Sequence, residues 1–136
     1  MVRLIMSGSG EGKTKQLIEL MENAMEQEVG CMVCIEPKRN ISFNLRHQTR
    51  LIDASEFNVD SFAVLRGFIC GLYAGNYDIS HIFIDNLCKI AHSSDEREIG
   101  EFLNWLDAFS SPLNLKVTVT ISASTDSATD TMRKSM

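Results

Sequence analysis

A chain of 136 residues, 44% hydrophobic and 23% charged, is sized for one globular domain with a single core, spanning 1–136. A formal net charge of −5 argues against a general nucleic-acid binder. No apolar run approaches the roughly 20 residues that a bilayer span needs, and the run after Arg3 is too short for a signal-peptide core, so no membrane association and a cytoplasmic location are expected.

Residues 2–7 read as a strand. A glycine-rich stretch, Ser7-Gly8-Ser9-Gly10-Glu11-Gly12-Lys13-Thr14, then leads into a helical pattern to about Glu28, with Leu17, Leu20, Met21, Ala24 and Met25 on one stripe. Strand, glycine-rich loop and helix in this order mark where a phosphate-binding loop would sit, in which backbone N–H groups and the helix N-terminus surround phosphate oxygens. Gly8, Ser9, Gly10, Glu11, Gly12, Lys13, Thr14 and Lys15 are the candidate nucleotide-binding residues. Lys13 would reach the β- and γ-phosphates, and the Thr14 hydroxyl would hold Mg²⁺. The pattern departs from G-x-x-x-x-G-K-[ST] at Ser7, since serine tolerates positive φ less well than glycine. The competing reading is a plain turn between a strand and a helix.

Gly30 is the expected C-cap of that helix. Cys31–Ile35 reads as a buried strand closed by Glu36-Pro37. Cys31 and Cys34 are spaced C-x-x-C, but three residues apart on a strand they face opposite ways, and no second pair or histidine spacing completes a metal site. All four cysteines are therefore expected as reduced, mostly buried thiols. From 37 to 52 there is no acidic residue, while Lys38, Arg39, Arg46, His47 and Arg50 fall there: a solvated helix face, or a local site for phosphate, a nucleic-acid strand or an acidic partner.

A brief strand is expected at 50–54. A helix capped by Asp60 or Ser61 should run to about Ala74, apolar nearly all round and so well buried. Gly67, Gly71 and Gly75 thin one side of it, which suggests close packing on the sheet or a helix-mediated dimer. Ile79–Ile84 is a strand ending at Asp85. Ser93-Ser94-Asp95-Glu96 has the form of a capping box opening a helix that stops before Pro112. Leu115–Ser122 alternates Val117, Val119 and Ile121 with Lys116, Thr118, Thr120 and Ser122, and a polar tail from 124 to 136 reads as a frayed helix. Strands alternating with helices imply an α/β fold of three layers, a mainly parallel sheet of about five strands with helices on both faces.

Asp85 would emerge beside a triphosphate at the end of a buried strand and hold Mg²⁺ together with Thr14. Hydrolysis also needs a group that orients or deprotonates water. Asn86 follows Asp85 and cannot take a proton, so Glu36, ending the strand after the phosphate-loop helix, is the better candidate. Lys13 and Glu36 are thus the candidate catalytic residues, although an ordinary solvent-facing strand end is the competing reading of Glu36.

With these residues the chain resembles RecA-like and thymidine-kinase-like P-loop proteins. More closely it resembles small clostridial ATP-binding proteins labelled as twitching-motility ATPases. The likeness rests on Gly12-Lys13-Thr14-Lys15, Ile35-Glu36, Phe68-Ile69-Cys70-Gly71, Gly75-Asn76-Tyr77-Asp78, Phe83-Ile84-Asp85 and Thr120-Ile121-Ser122-Ala123. It implies the P-loop NTPase fold, with ATP and Mg²⁺ as ligands. Asn86 in place of a glutamate, with no zinc-bearing lasso after the last strand, sets it apart from thymidine kinases. RecA-like sheets insert the strand after the magnesium strand between it and the phosphate-loop strand. If 115–122 does this, strand 2–7 becomes an edge that the tail or a second subunit should cover. The polar side of 115–122 leaves the simpler order open, with the Asp85 strand beside the phosphate loop. The expected function is ATP binding with slow or partner-stimulated Mg²⁺-dependent hydrolysis, aided by an arginine from a protein partner, a second copy or the 37–50 segment. The alternatives are a non-catalytic nucleotide-dependent switch and a phosphotransferase acting on a small acceptor. No guanine-reading N-K-x-D sequence appears, which tilts the choice toward adenine.

Overall fold

The structure, a computed structural model, describes residues 1–8, 13–27, 30–39 and 49–136, and excludes the side chains of Lys13 and Thr14. Five strands, β1 (Val2–Ser7), β2 (Cys31–Glu36), β3 (Thr49–Asp53), β4 (Ile79–Ile84) and β5 (Lys116–Ser122), form one sheet in the order β1-β5-β4-β2-β3. Every adjacent pair is parallel. The helices are α1 (Lys13–Gln27), α2 (Phe62–Gly75), a short α3 (Leu87–Ala91) that periodicity does not anticipate, α4 (Glu96–Ser110) and α5 (Asp130–Arg133). The short helix or ordered loop expected over 38–50, which carries the basic cluster, falls largely on 40–48, outside the described residues.

The two faces of the sheet differ in chemistry because side chains alternate along each strand. One face presents Val2, Leu4 and Met6 of β1, Val117, Val119 and Ile121 of β5, Ile82 and Ile84 of β4, Val33 and Ile35 of β2, and Ile52 of β3. Leu65 and Ile69 of α2 and Phe102, Leu103 and Leu106 of α4 pack on it. An aromatic seam joins these helices: Phe62 lies 5.4 Å from Phe102, and Tyr73 meets Phe109 edge-on at 6.3 Å. The opposite face gathers Met32, Cys34 and Phe83 beneath Leu17 and Met21 of α1. Leu17 and Met21 are fully buried, each contributing about 1.5–3 kcal/mol to seating the helix. Helices therefore cover both faces.

β5 is the inserted strand, and β1 is an edge. The tail covers that edge without becoming a strand. The Leu4 amide donates to the Ser135 carbonyl at 2.6 Å, and Met132 of α5 is buried in the larger core. Thr129 caps α5 through the Met132 amide, so this part of the tail is an ordered turn of helix, where the sequence suggests fraying.

Three local expectations change. Asp95, rather than Ser93, caps α4 by accepting from the Arg97 and Glu98 amides, while Ser93 bonds the Glu98 carboxylate. Gly30 adopts no left-handed backbone; it is needed because a Cβ there would sit 2.2 Å from the Asp78 carbonyl. On α2 the glycine side is open. A Cβ at Gly67, Gly71 or Gly75 would meet nothing within 4 Å, and Val64 is 44% exposed, so this helix is neither buried all round nor packed through its glycines onto the sheet.

Candidate functional site

The carboxyl ends of parallel strands are where open α/β sheets hold their ligands, because the connecting loops and helix N-termini converge there. Ser7 of β1, Ser122 of β5, Glu36 of β2 and Asp53 of β3 close their strands at this end, and Asp85 directly follows β4. Ser7 is still paired in register with Ser122 and is extended. Among the described residues the positive-φ positions other than glycine are Asn58, Asn86, His92 and Asn114, so the conformational cost expected of serine at position 7 does not arise. The Ser7 hydroxyl is buried and has no hydrogen-bond partner among the described residues.

α1 begins at Lys13, so the lysine and Thr14 stand on the first turn of the helix after β1. Gly8 is exposed with open space around its Cα, and Lys15 is exposed. Ser9, Gly10, Glu11 and Gly12 lie outside the described residues, as do Arg46 and His47.

Asp85 is 6% exposed and tightly placed. Its amide donates to the Ile35 carbonyl at 2.9 Å, which ties the end of β4 to the end of β2. Its Oδ1 accepts from the Thr120 hydroxyl at 3.0 Å, and the same Thr120 oxygen accepts from the Asn86 amide at 2.8 Å. Asn86 sits at φ 55°, a left-handed conformation that asparagine adopts at lower cost than most residues. Sequence reasoning singled out Asp85 and missed Thr120. The signal was the alternation of Thr118, Thr120 and Ser122, which looks unsuited to a central strand. Insertion of β5 between β1 and β4 explains it: Thr118 meets His81 Nε2 at 2.9 Å, and Thr120 meets Asp85.

Glu36 is 1% exposed, which rules out the solvent-facing reading. It and Asp85 both raise the pKa of Cys34, after burial as the larger cause, and hold that thiol well above its ordinary value of 9.0. Two buried carboxylates at neighbouring strand ends make the site electronegative, an environment suited to a cation. Asp53 lies beyond Glu36 and is turned to a structural task. It accepts from the Ser55 hydroxyl and amide and, at 3.1 Å, from the Arg39 amide. The Ser55 hydroxyl is the main cause holding this carboxyl below its ordinary 3.8.

Among the described residues of the basic stretch, the cations do not share one place. Lys38 and Arg39 follow β2 at the carboxyl end, whereas Arg50 is a β3 residue on the side of Val33. The cysteines are all free, but only Cys34 is buried. Cys31 and Cys70 are exposed and Cys88 is intermediate, which corrects the expectation of mostly buried thiols. Among the described residues no group of three His, Cys, Asp or Glu side chains forms a metal cluster, and no helix is long and apolar enough to cross a membrane. A magnesium ion held by one carboxylate, one hydroxyl and phosphate oxygens needs no such cluster. Comparison with models of known protein families and with curated proteins finds no match to this chain.

Proposed function

We propose that this chain binds Mg·ATP at the carboxyl end of its sheet and hydrolyses it slowly or under stimulation by a partner. The observation that carries the reading is the buried Asp85 carboxylate, fixed by Thr120 one strand away from the β1–α1 junction. A strand, a glycine-rich sequence and a helix opening at Lys13 supply the phosphate-binding half; Asp85 supplies the cation-binding half. The unmatched Ser7 hydroxyl at the start of the loop suits a phosphate oxygen or its water.

In this reading the loop amides and Lys13 neutralise the β- and γ-phosphates, and Thr14 and Asp85 hold Mg²⁺. Glu36, buried at the end of the neighbouring strand β2, orients the attacking water. A nucleotide-dependent switch is the second reading, favoured by Asn86, whose amide side chain cannot accept the water's proton.

The test is thermal unfolding with Mg·ATP, Mg·ADP and Mg·GTP for wild type, Lys13→Ala and Asp85→Ala. A ligand at a hundred times its Kd raises stability by about 2.7 kcal/mol. An ATP-dependent rise that both variants lose is expected; a rise unchanged in Lys13→Ala discards the assignment. Turnover no faster in wild type than in Lys13→Ala, with binding intact, selects the switch.

A further inference from the structure

A concavity lies between α2 and the strands β2 and β3. We propose that it binds a small amphiphilic anion, an alkyl carboxylate of medium chain length, with the chain along the glycine face of α2 and the carboxylate on Arg50. The cleft encloses about 550 Å³, within the roughly 300–1,000 Å³ typical of small-molecule sites.

Its walls are apolar. Val33 and Ile52 form a buried floor, Phe68 and Leu72 of α2 form one side, and Phe57 closes an end 5.9 Å from Phe68. Gly71 and Gly75 account for the width, since neither places a side chain in the space beside the helix. Any ordinary residue at these positions would narrow the cleft, and the open space around them shows that helix-to-sheet packing does not require glycine there.

Arg50 is the sole charged residue lining this space among the described residues. It is exposed, and no hydrogen bond or ion pair engages it among those residues. A guanidinium at the mouth of an apolar cleft matches a ligand with one planar anionic group and an apolar body, because the fork of N–H donors pairs bidentately with a carboxylate. A neutral hydrocarbon would leave that match unused, and a cation would be repelled. This site is independent of the nucleotide reading: Cys31 and Arg50 stand near the amino ends of β2 and β3, while Glu36 and Asp85 stand at the carboxyl end.

The experiment is calorimetric titration with decanoate, decanol and decyltrimethylammonium below their micelle concentrations. Wild type, Arg50→Gln and Gly71→Leu are compared, with circular dichroism confirming the fold. Saturable one-to-one binding of decanoate is expected, weakened about tenfold in Arg50→Gln, with decanol indifferent to that change and weaker in wild type. Gly71→Leu, which fills the cleft, should abolish binding of both. Maleimide labelling of Cys31 in a Cys70→Ser background gives a readout without a cleft variant, and decanoate should slow it at least fivefold. Absence of saturable binding, equal affinity for decanoate and decanol, or an unaffected Arg50→Gln overturns the proposal. So does a dimer in sedimentation that Gly71→Leu dissociates, since the cleft would then belong to a second copy.

Discussion

Replacing Thr120 by valine removes one buried hydroxyl at nearly constant shape. In the structure that oxygen donates to Asp85 Oδ1 at 3.0 Å and accepts from the Asn86 amide at 2.8 Å. Thr120 is 1% exposed, so little water is at hand to replace either bond. A buried polar group left without its partner costs about 1–3 kcal/mol, and more for a charged one. Asp85 keeps a further contact, which limits its share, and the two losses together come to about 2–4 kcal/mol. Against a total stability on the order of 5–15 kcal/mol this is a large fraction. For a chain of 136 residues it corresponds to a fall in Tm of about 7–14 °C. Urea unfolding of wild type, Thr120→Val, Asp85→Ala and the double variant measures both the loss and the coupling between the two side chains. A coupling of about 1 kcal/mol or more is expected. A Thr120→Val protein within 0.5 kcal/mol of wild type would refute the idea that this hydroxyl fixes Asp85.

Two glycines should respond with opposite signs. Gly71→Ala enters open space in a helix interior and should stabilise by up to about 1 kcal/mol in urea unfolding. Gly30→Ala drives a Cβ to 2.2 Å from the Asp78 carbonyl, breaks its 2.8 Å bond from the Cys31 amide, and should cost about 2–3 kcal/mol in the same assay. Met132→Ala removes the buried anchor of α5 and should cost about 2–4 kcal/mol, with increased light scattering as the β1 edge loses its cover. In native protein a thiol reagent should label Cys31 and Cys70 quickly and Cys34 only on unfolding. Because the folded state raises the pKa of Cys34, that state holds its proton longer. Its contribution is complete below pH 9.0 and declines as pH rises above that value, so urea midpoints of wild type should fall more steeply there than those of Cys34→Ala.

Local physics made much of the fold legible in the sequence. Apolar periodicity placed all five strands within a residue or two, because pleat and helix impose periods of 2 and 3.6 on whatever must be buried. The cap of α2 was legible as Asp60 or Ser61, and the structure selects Ser61, whose hydroxyl accepts from the Val64 amide three residues on, a contact formed within one turn. Asp85 and Glu36 were legible as strand-end carboxylates for the same reason: their positions follow from the ends of apolar runs. The short α3 escaped notice because five residues carry too little periodicity to register.

Tertiary structure decided what no local rule reaches. The alternation in 115–122 implied one polar face but could not say that β5 lies between β1 and β4, where its threonines meet His81 and Asp85 across strands. Gly30 and Gly71 look alike in sequence. One is pressed against a carbonyl far along the chain and the other faces a cleft, because packing distance depends on which elements become neighbours. Arg50 was one of a run of basic residues, and strand pairing alone set it apart over an apolar cleft. Burial and partner choice are properties of pairs of distant segments, and a sequence read one window at a time holds only half of each pair.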